Sequence, residues 1–156
     1  MHTLAHDPQI KSILKLEHQT LTDLVEGQGH KEAIFSNREW NQLEELVNIM
    51  EPFYNATVLC QGEFTVTIST VLPSVLSINH HLIRLAQKKD LHLTNLVRVL
   101  KESLTNRFFG IFVNMHMVKP AGNRDDLPFG DVIYMISAFL DPRFALQWLD
   151  NDVTVD

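Results

Sequence analysis

The sequence predicts an all-α domain of about six helices, with residues 1–156 forming one irregular bundle. Apolar residues recur at steps of three and four along most of the chain, which is the helical period. Only six glycines and six prolines are present, too few for a turn-rich all-β fold. A single cysteine excludes an internal disulfide framework and indicates a reducing compartment.

The net charge and the hydropathy pattern argue against two classes of protein, non-specific DNA binders and membrane-spanning proteins. The formal net charge of −6 argues against an independent, non-specific DNA binder, which is normally basic. No apolar run is long enough for a membrane span, and the N-terminus lacks the pattern of a secretory signal. We therefore expect no contact with a membrane.

The first two predicted helices have clear start signals. Asp7 and Pro8 suit a cap and a first helical position, and an apolar stripe runs to about residue 26, where Gly27 and Gly29 end the helix. After a loop over 27–35, Ser36 and Glu39 fit a capping box. That second helix has its apolar face at Trp40, Leu43, Leu46, Val47 and Met50. Pro52 predicts a kink or an end, and the continuing pattern to Leu59 favours the kink.

Residues 60–69 alternate apolar and polar side chains, which is a strand pattern. No partner strand is evident, so we expect an extended connector, with an edge strand as the alternative. Ser69 or Thr70 then caps a third helix, with Pro73 in its first turn and a polar exit at residues 88–90.

The second half contains three further predicted helices. One starts at Thr94, or at Asp90, and extends to Val113. A loop over 119–130 carries two prolines and two glycines, and a short apolar helix follows Asp131. Asp141 and Pro142 start a last helix, and the tails 1–6 and 150–156 are predicted to be disordered.

No set of acidic residues has the pattern of a catalytic site. Asp125 and Asp126 are adjacent in a loop, and adjacent carboxylates rarely build a two-metal site unaided. Asp141 has a structural role as an N-cap. Glu44, Glu45 and Glu51 are interpreted as a solvated helix face.

Metal ligation is not expected either. His80 and His81 are neighbours, so on a helix their side chains point about 100° apart and do not chelate together. One should face solvent and the other flank the core. His92 and His116 have no partner at ligand spacing, and Cys60 is expected to be a buried or boundary thiol.

Two sets of residues remain as candidate surfaces. The basic set, which is a candidate contact to nucleic acid or else ordinary surface charge, is Arg84, Lys88, Lys89, Lys101 and Arg107. The apolar set, which is a candidate interface or else core, is Phe108, Phe109, Ile111, Phe112 and Trp148.

Two stretches of the chain resemble the hAT superfamily of transposases and the host proteins domesticated from them. The first is W-x-x-L-x-x-L-x-x-I-M-x-P-F-x-x-A-T, from Trp40 to Thr57, and the second is A-x-L-D-P-R-F, from Ala138 to Phe144. The segment from Phe64 to Leu76, with Pro73, is similar to an extended segment and helix that the family has between them. The resemblance covers roughly residues 36–150.

The resemblance implies the helical insertion of an RNase H-like core, within a larger hAT region. The family's catalytic acids would lie outside this stretch, so no catalytic residue is carried over and no enzymatic activity is expected here. Trp40 matches a family tryptophan that we interpret as structural. The family's Cys-x-x-Cys/His motif is absent, since Cys60 stands alone.

Domesticated proteins of this kind often carry BED-type or other zinc fingers elsewhere, act in the nucleus, and associate with DNA or chromatin. For this stretch we expect scaffolding, homodimerisation or partner binding in transcription regulation, with no cofactor of its own. The alternatives are part of an active transposase contacting transposon ends, and a protein-interaction module without a nucleic-acid role.

Overall fold

The computed structural model describes residues 36–61, 67–120 and 127–144, together with residues 23 and 27. Within these residues the fold is all-helical, as predicted. Its five helices are α1 (Asn37–Cys60), α2 (Ile68–Ala86), α3 (Thr94–Arg107), α4 (Phe109–Asn114) and α5 (Ile133–Leu140). The predictions for the first helix, the last helix and both tails fall almost wholly outside the described residues. Gly27 is itself helical, so the predicted loop does not include this residue.

Helix α1 begins with the predicted capping box. The Glu39 carboxylate accepts from the Ser36 N–H at 2.7 Å, and the Glu39 N–H donates to the Ser36 hydroxyl at 3.4 Å. The hydrogen bond from the Ser36 N–H, and then one that the Ser36 hydroxyl donates to the same carboxylate at 2.8 Å, lower the pKa of Glu39. The helix runs through Pro52 to Cys60 without ending, which agrees with the prediction that the chain stays helical beyond the proline.

Helix α2 begins earlier than the sequence predicts. Ile68 and Ser69 are helical, so the prediction of an extended connector is wrong at these two positions. Residues 62–66 of the predicted connector lie outside the described residues. Neither Ser69 nor Thr70 caps the helix, because both lie inside it. Pro73 consequently lies in the second turn and not the first. The Thr70 hydroxyl donates to the Thr67 carbonyl at 2.6 Å, which supports the first turn in place of a cap.

The core is built around α2, which packs against α1, α3 and α5. Eight of its nineteen residues are buried, and Leu72 and Leu82 have no exposed surface. Ile49 of α1, Val97 of α3 and Ala138 of α5 are equally buried against it. Helix α2 runs antiparallel to α1, since the His81 ring lies at Asn48 and the Cys60 thiol lies near Thr70.

The predicted helix over 94–113 is two helices, α3 and α4, separated at Phe108. The Gly110 N–H donates to the Pro128 carbonyl at 2.9 Å, and a Cβ at Gly110 would meet the Gly130 backbone at 2.4 Å. This close approach of the turn 127–130 is a tertiary contact, so the local sequence pattern does not reveal the break. Helix α5 starts at Ile133, three residues after the turn ends.

Candidate interaction surfaces

The structure divides the basic candidates between the two ends of α2 and α3. Arg84, Lys88 and Lys89 are exposed at the connection between the two helices. Arg107 is the last residue of α3, which spans about 21 Å, and Lys101 is half-buried between the two ends. Arg107 lines the same groove as Val71 and Ser74 of α2. The five basic residues therefore do not form one continuous surface. Three of them are grouped at the connection, and Lys101 and Arg107 lie apart from that group.

Glu45 does not belong to a solvated helix face, which corrects the prediction. Its carboxylate accepts from the backbone N–H of His92 and of Leu93, both at 3.0 Å, and lies 2.8 Å from the His92 Nδ1. Burial raises the pKa of Glu45, but these hydrogen bonds outweigh it and leave the pKa lowered. The carboxylate thus binds amides at the start of α3, where unpaired N–H groups favour an anion. Glu44 and Glu51 are exposed as predicted.

The histidines and the cysteine have structural surroundings. His80 is exposed, and His81 is half-buried with its Nε2 2.9 Å from the Asn48 carbonyl, as predicted for the pair. Cys60 is exposed, so the expected buried or boundary thiol is wrong, although its sulfur lies 3.7 Å from the Thr70 hydroxyl. In the described residues no three His, Cys, Asp or Glu side chains are grouped to hold a metal ion.

Asp141 joins the end of α5 to the start of α2. Its carboxylate accepts from the Ser69 hydroxyl at 2.6 Å and from the Arg143 guanidinium at 2.6 Å. It also accepts from the Arg143 N–H at 2.9 Å, within a turn over 142–144; the helix that Asp141 was expected to cap lies otherwise outside the described residues. Hydrogen bonds from Arg143, and then from Ser69, hold the pKa of Asp141 well below its ordinary value. The Arg143 guanidinium lies 5.5 Å from the Phe144 ring centre. Asp141, which the sequence suggests acts only on its neighbours, therefore also links two helices that are far apart in the chain.

The predicted apolar surface belongs to the core. Ile111 and Phe112 are buried, and Phe108 and Phe109 are half-buried. The Phe108 ring packs on Phe129, with the ring centres 4.6 Å apart. Trp148 lies outside the described residues. Of the two interpretations offered by the sequence, core and interface, these four residues agree with core.

An exposed apolar face lies instead on α5, where the sequence analysis placed no surface. It is formed by side chains that are 43% to 71% exposed, and we call it the α5 face: Val132, Ile133, Ile136, Phe139 and Leu140. The opposite side of the helix holds Ala138, which is fully buried against α2. All eight residues of α5 except Ser137 are apolar or aromatic. That composition is unusual for a surface helix and was the available signal for this face.

A second apolar feature is a groove between α1, α2 and α3, with a volume of about 640 Å³. Met50, Phe53 and Ala56 line one side, and Val75 and Leu104 line the others. The Phe129 ring reaches it from the turn 127–130, where Phe129 has the left-handed backbone φ of 57°. A non-glycine residue in that conformation is held by its surroundings, here the Phe108 ring.

Comparisons with protein-family models, with curated proteins and with solved structures found no match to this chain. In the part of the chain that the structure describes, no helix is both long and apolar enough to cross a membrane.

Proposed function

We propose that this chain is a helical segment of a domesticated, hAT transposase-derived nuclear zinc-finger protein that takes part in DNA- or chromatin-associated transcription regulation. Its own work in that protein is to bind other proteins, with no catalytic step. The described parts of the two stretches that carry the resemblance support a scaffold role. Ile49 in the first and Ala138 in the second are both fully buried in the core around α2. Asp141 of the second also binds Ser69 of α2.

The α5 face is the observation that carries the proposal. Its five large apolar side chains are exposed to water. Monomeric domains rarely expose large contiguous apolar patches, so such a patch indicates a binding surface. Ile136 and Leu140 are four residues apart, and Val132 and Phe139 extend the same side of the helix. Burial of such side chains stabilises a complex by about 1.5–3 kcal/mol each before the costs of association are subtracted. A protein surface of matching apolar character is therefore the expected partner.

A second copy of the chain is the simplest such partner. Two α5 faces can pair around a twofold axis, because each copy then presents the same apolar surface to the other. This arrangement needs no contribution from a ligand or from DNA. It makes self-association the form of protein binding that we expect first.

The test compares two variants of equal charge change. Ile136→Glu with Phe139→Glu introduces two carboxylates into the α5 face, and Val58→Glu with Val99→Glu introduces two at similarly exposed positions on α1 and α3. Sedimentation at several concentrations should show the first variant as a monomer and the second as associated as the unmodified chain. Equal association of the two variants would contradict the proposal.

Direct DNA contact is a second candidate, favoured by the group of Arg84, Lys88 and Lys89. These three exposed cations lie within six residues at one end of α2. Under this alternative, which includes part of an active transposase, duplex DNA binding weakens steeply as salt rises. Lys88→Ala with Lys89→Ala should then reduce the salt dependence, whereas Lys101→Ala should not.

A further inference from the structure

The five residues of the α5 face are spaced symmetrically about Ile136. Ile133 and Phe139 lie three residues to either side of it, and Val132 and Leu140 lie four residues to either side. Val132 precedes the helix but has helical backbone angles, φ −63° and ψ −13°. At about 100° per residue, the inner pair lies about 60° from Ile136 around the helix axis and the outer pair about 40°. Ile136 is therefore the centre of the exposed apolar face.

A face with this symmetry fits an inverted copy of itself. When two copies of the helix pair antiparallel around a twofold axis at Ile136, a residue before Ile136 reaches the level of a residue equally far after it in the second copy. Val132 then lies level with Leu140 of the second copy, and Ile133 with Phe139 of the second copy. Side chains from opposite sides of the two helices fill each level, as in other packed helix pairs. Every apolar residue of the face thus meets an apolar residue.

The charged residues at the two ends of α5 favour this antiparallel orientation. Asp131 is exposed just before the helix, and its carboxylate accepts from the Ile133 N–H at 2.8 Å. Among the described residues it forms no ion pair. Parallel pairing would place Asp131 beside Asp131 of the second copy, and like charges repel. Antiparallel pairing instead brings Asp131 to the end that carries Arg143, whose side chain is 50% exposed while it is bonded to Asp141.

Contacts at both ends hold α5 in place and leave the face outward. Before the helix, the Pro128 carbonyl accepts from the Gly110 N–H at 2.9 Å. After it, the Asp141 carboxylate accepts from the Ser69 hydroxyl at 2.6 Å. Between them, Ala138 is fully buried against α2. A helix fixed in this way loses little conformational freedom when it binds, which favours association.

We propose that the α5 face binds the α5 face of a second copy in antiparallel orientation, with Ile136 of both copies at the twofold axis. This pairing rests on the proposed function, self-association through α5, and adds the orientation and the register. Helix α5 has eight residues and is about 12 Å long, so the contact is short and the dimer dissociates on dilution.

Disulfide cross-linking between chains tests the orientation. Single cysteines are placed in full chains that carry Cys60→Ser, so that each chain has one thiol. Ile136→Cys should cross-link with itself. Val132→Cys and Leu140→Cys should each cross-link poorly alone, because antiparallel pairing separates the two copies of either residue by about 12 Å along the axis, beyond the reach of about 7 Å between Cα atoms. A mixture of the two variants should cross-link at least about tenfold faster than either alone.

The matched control uses two valines outside α5. Val58 on α1 and Val99 on α3 are 47% and 45% exposed, close to the exposure of the α5 face. Val58→Cys and Val99→Cys, alone and mixed, report random collisions between chains. Their mixture should show no gain over the single variants, since the proposed pairing does not bring the two positions together.

The results that would overturn the pairing differ from those that would overturn the proposed function. Faster cross-linking of Val132→Cys and Leu140→Cys each with itself than in the mixture would show parallel pairing, while protein binding through α5 would stand. Equal rates at α5 and at the control positions, in chains that sediment as dimers, would show that another surface forms the dimer. A monomer at every concentration in sedimentation would contradict self-association itself and the pairing with it.

Discussion

Helices α2 and α5 use apolar residues in opposite ways. Helix α2 buries eight residues and contacts three other helices, whereas α5 buries one residue, Ala138, and exposes most of its remaining apolar side chains. Both helices are rich in apolar residues, so composition alone does not separate them. The core of the described residues is therefore built on α2, whereas α5 leaves apolar surface exposed.

The largest expected effect compares one leucine from each helix. Leu82→Ala on α2 should lower the free energy of unfolding by about 2–5 kcal/mol, because Leu82 has no exposed surface and the substitution leaves a cavity. Leu140→Ala on α5 removes the same atoms from a side chain that is 71% exposed and should change it by at most about 0.5 kcal/mol. Urea titrations of both variants at low protein concentration measure the difference. Similar losses would mean that the α5 face is part of the core.

The next prediction concerns how α5 is held in place. Gly110→Ala should destabilise the fold by about 1–3 kcal/mol, because its Cβ would meet the Gly130 backbone and force the turn before α5 to move. Gly27→Ala is the control: a Cβ there meets nothing within 4 Å, and alanine favours a helix by about 1 kcal/mol. Thermal unfolding should show opposite signs for the two variants. A tolerated alanine at 110 would contradict the close approach.

Removing the charge of Glu45 should cost about 1 kcal/mol, because Glu45→Gln weakens the hydrogen bonds to the first amides of α3. Glu44→Gln, at the exposed neighbour, should have no measurable effect. The folded pKa of Glu45 is lowered, so its contribution is complete above the ordinary pKa of 4.5 and is lost as the pH falls through the lowered value. Unfolding measured across that acid range should show a smaller pH slope for Glu45→Gln.

The smallest of these effects is expected at Asp141, whose partner Arg143 is half-exposed to solvent. Asp141→Asn should weaken the junction between α5 and α2 while Ser69 keeps a hydrogen-bonding neighbour. Because the folded pKa of Asp141 is lowered, its contribution is present above the ordinary value of 3.8 and declines below it. The variant should therefore differ most from the unmodified chain near neutral pH and least in strong acid. A difference that is independent of pH would contradict a role for the charge.

Local features were predictable from the sequence, and contacts between distant residues were not. The capping box of α1 involves residues three apart, so Ser36 and Glu39 predicted it correctly. The cap that Glu45 provides joins residues 47 and 48 apart, and the bond from Ser69 to Asp141 spans 72 residues. No local pattern reports such pairs. The same limit explains the early start of α2 and the break at Phe108.

The candidate surfaces follow the same division. Exposure of Arg84, Lys88 and Lys89 agrees with their charge, and their separation from Arg107 follows from the length of α3, which begins after Lys89 and ends at Arg107. The α5 face was missed because a short apolar helix reads as core until its neighbours are known. One of its sides meets α2, and the local sequence does not reveal which side that is.

The most direct test of protein binding through the α5 face is the mass of the unmodified chain in solution, measured by sedimentation over a range of concentrations at low and high salt. We predict a mass that rises with concentration towards that of two chains and that does not fall at high salt, because apolar association is not screened. A monomer at every concentration, with duplex DNA binding that weakens steeply as salt rises, would contradict the account and assign the chain to nucleic-acid contact instead.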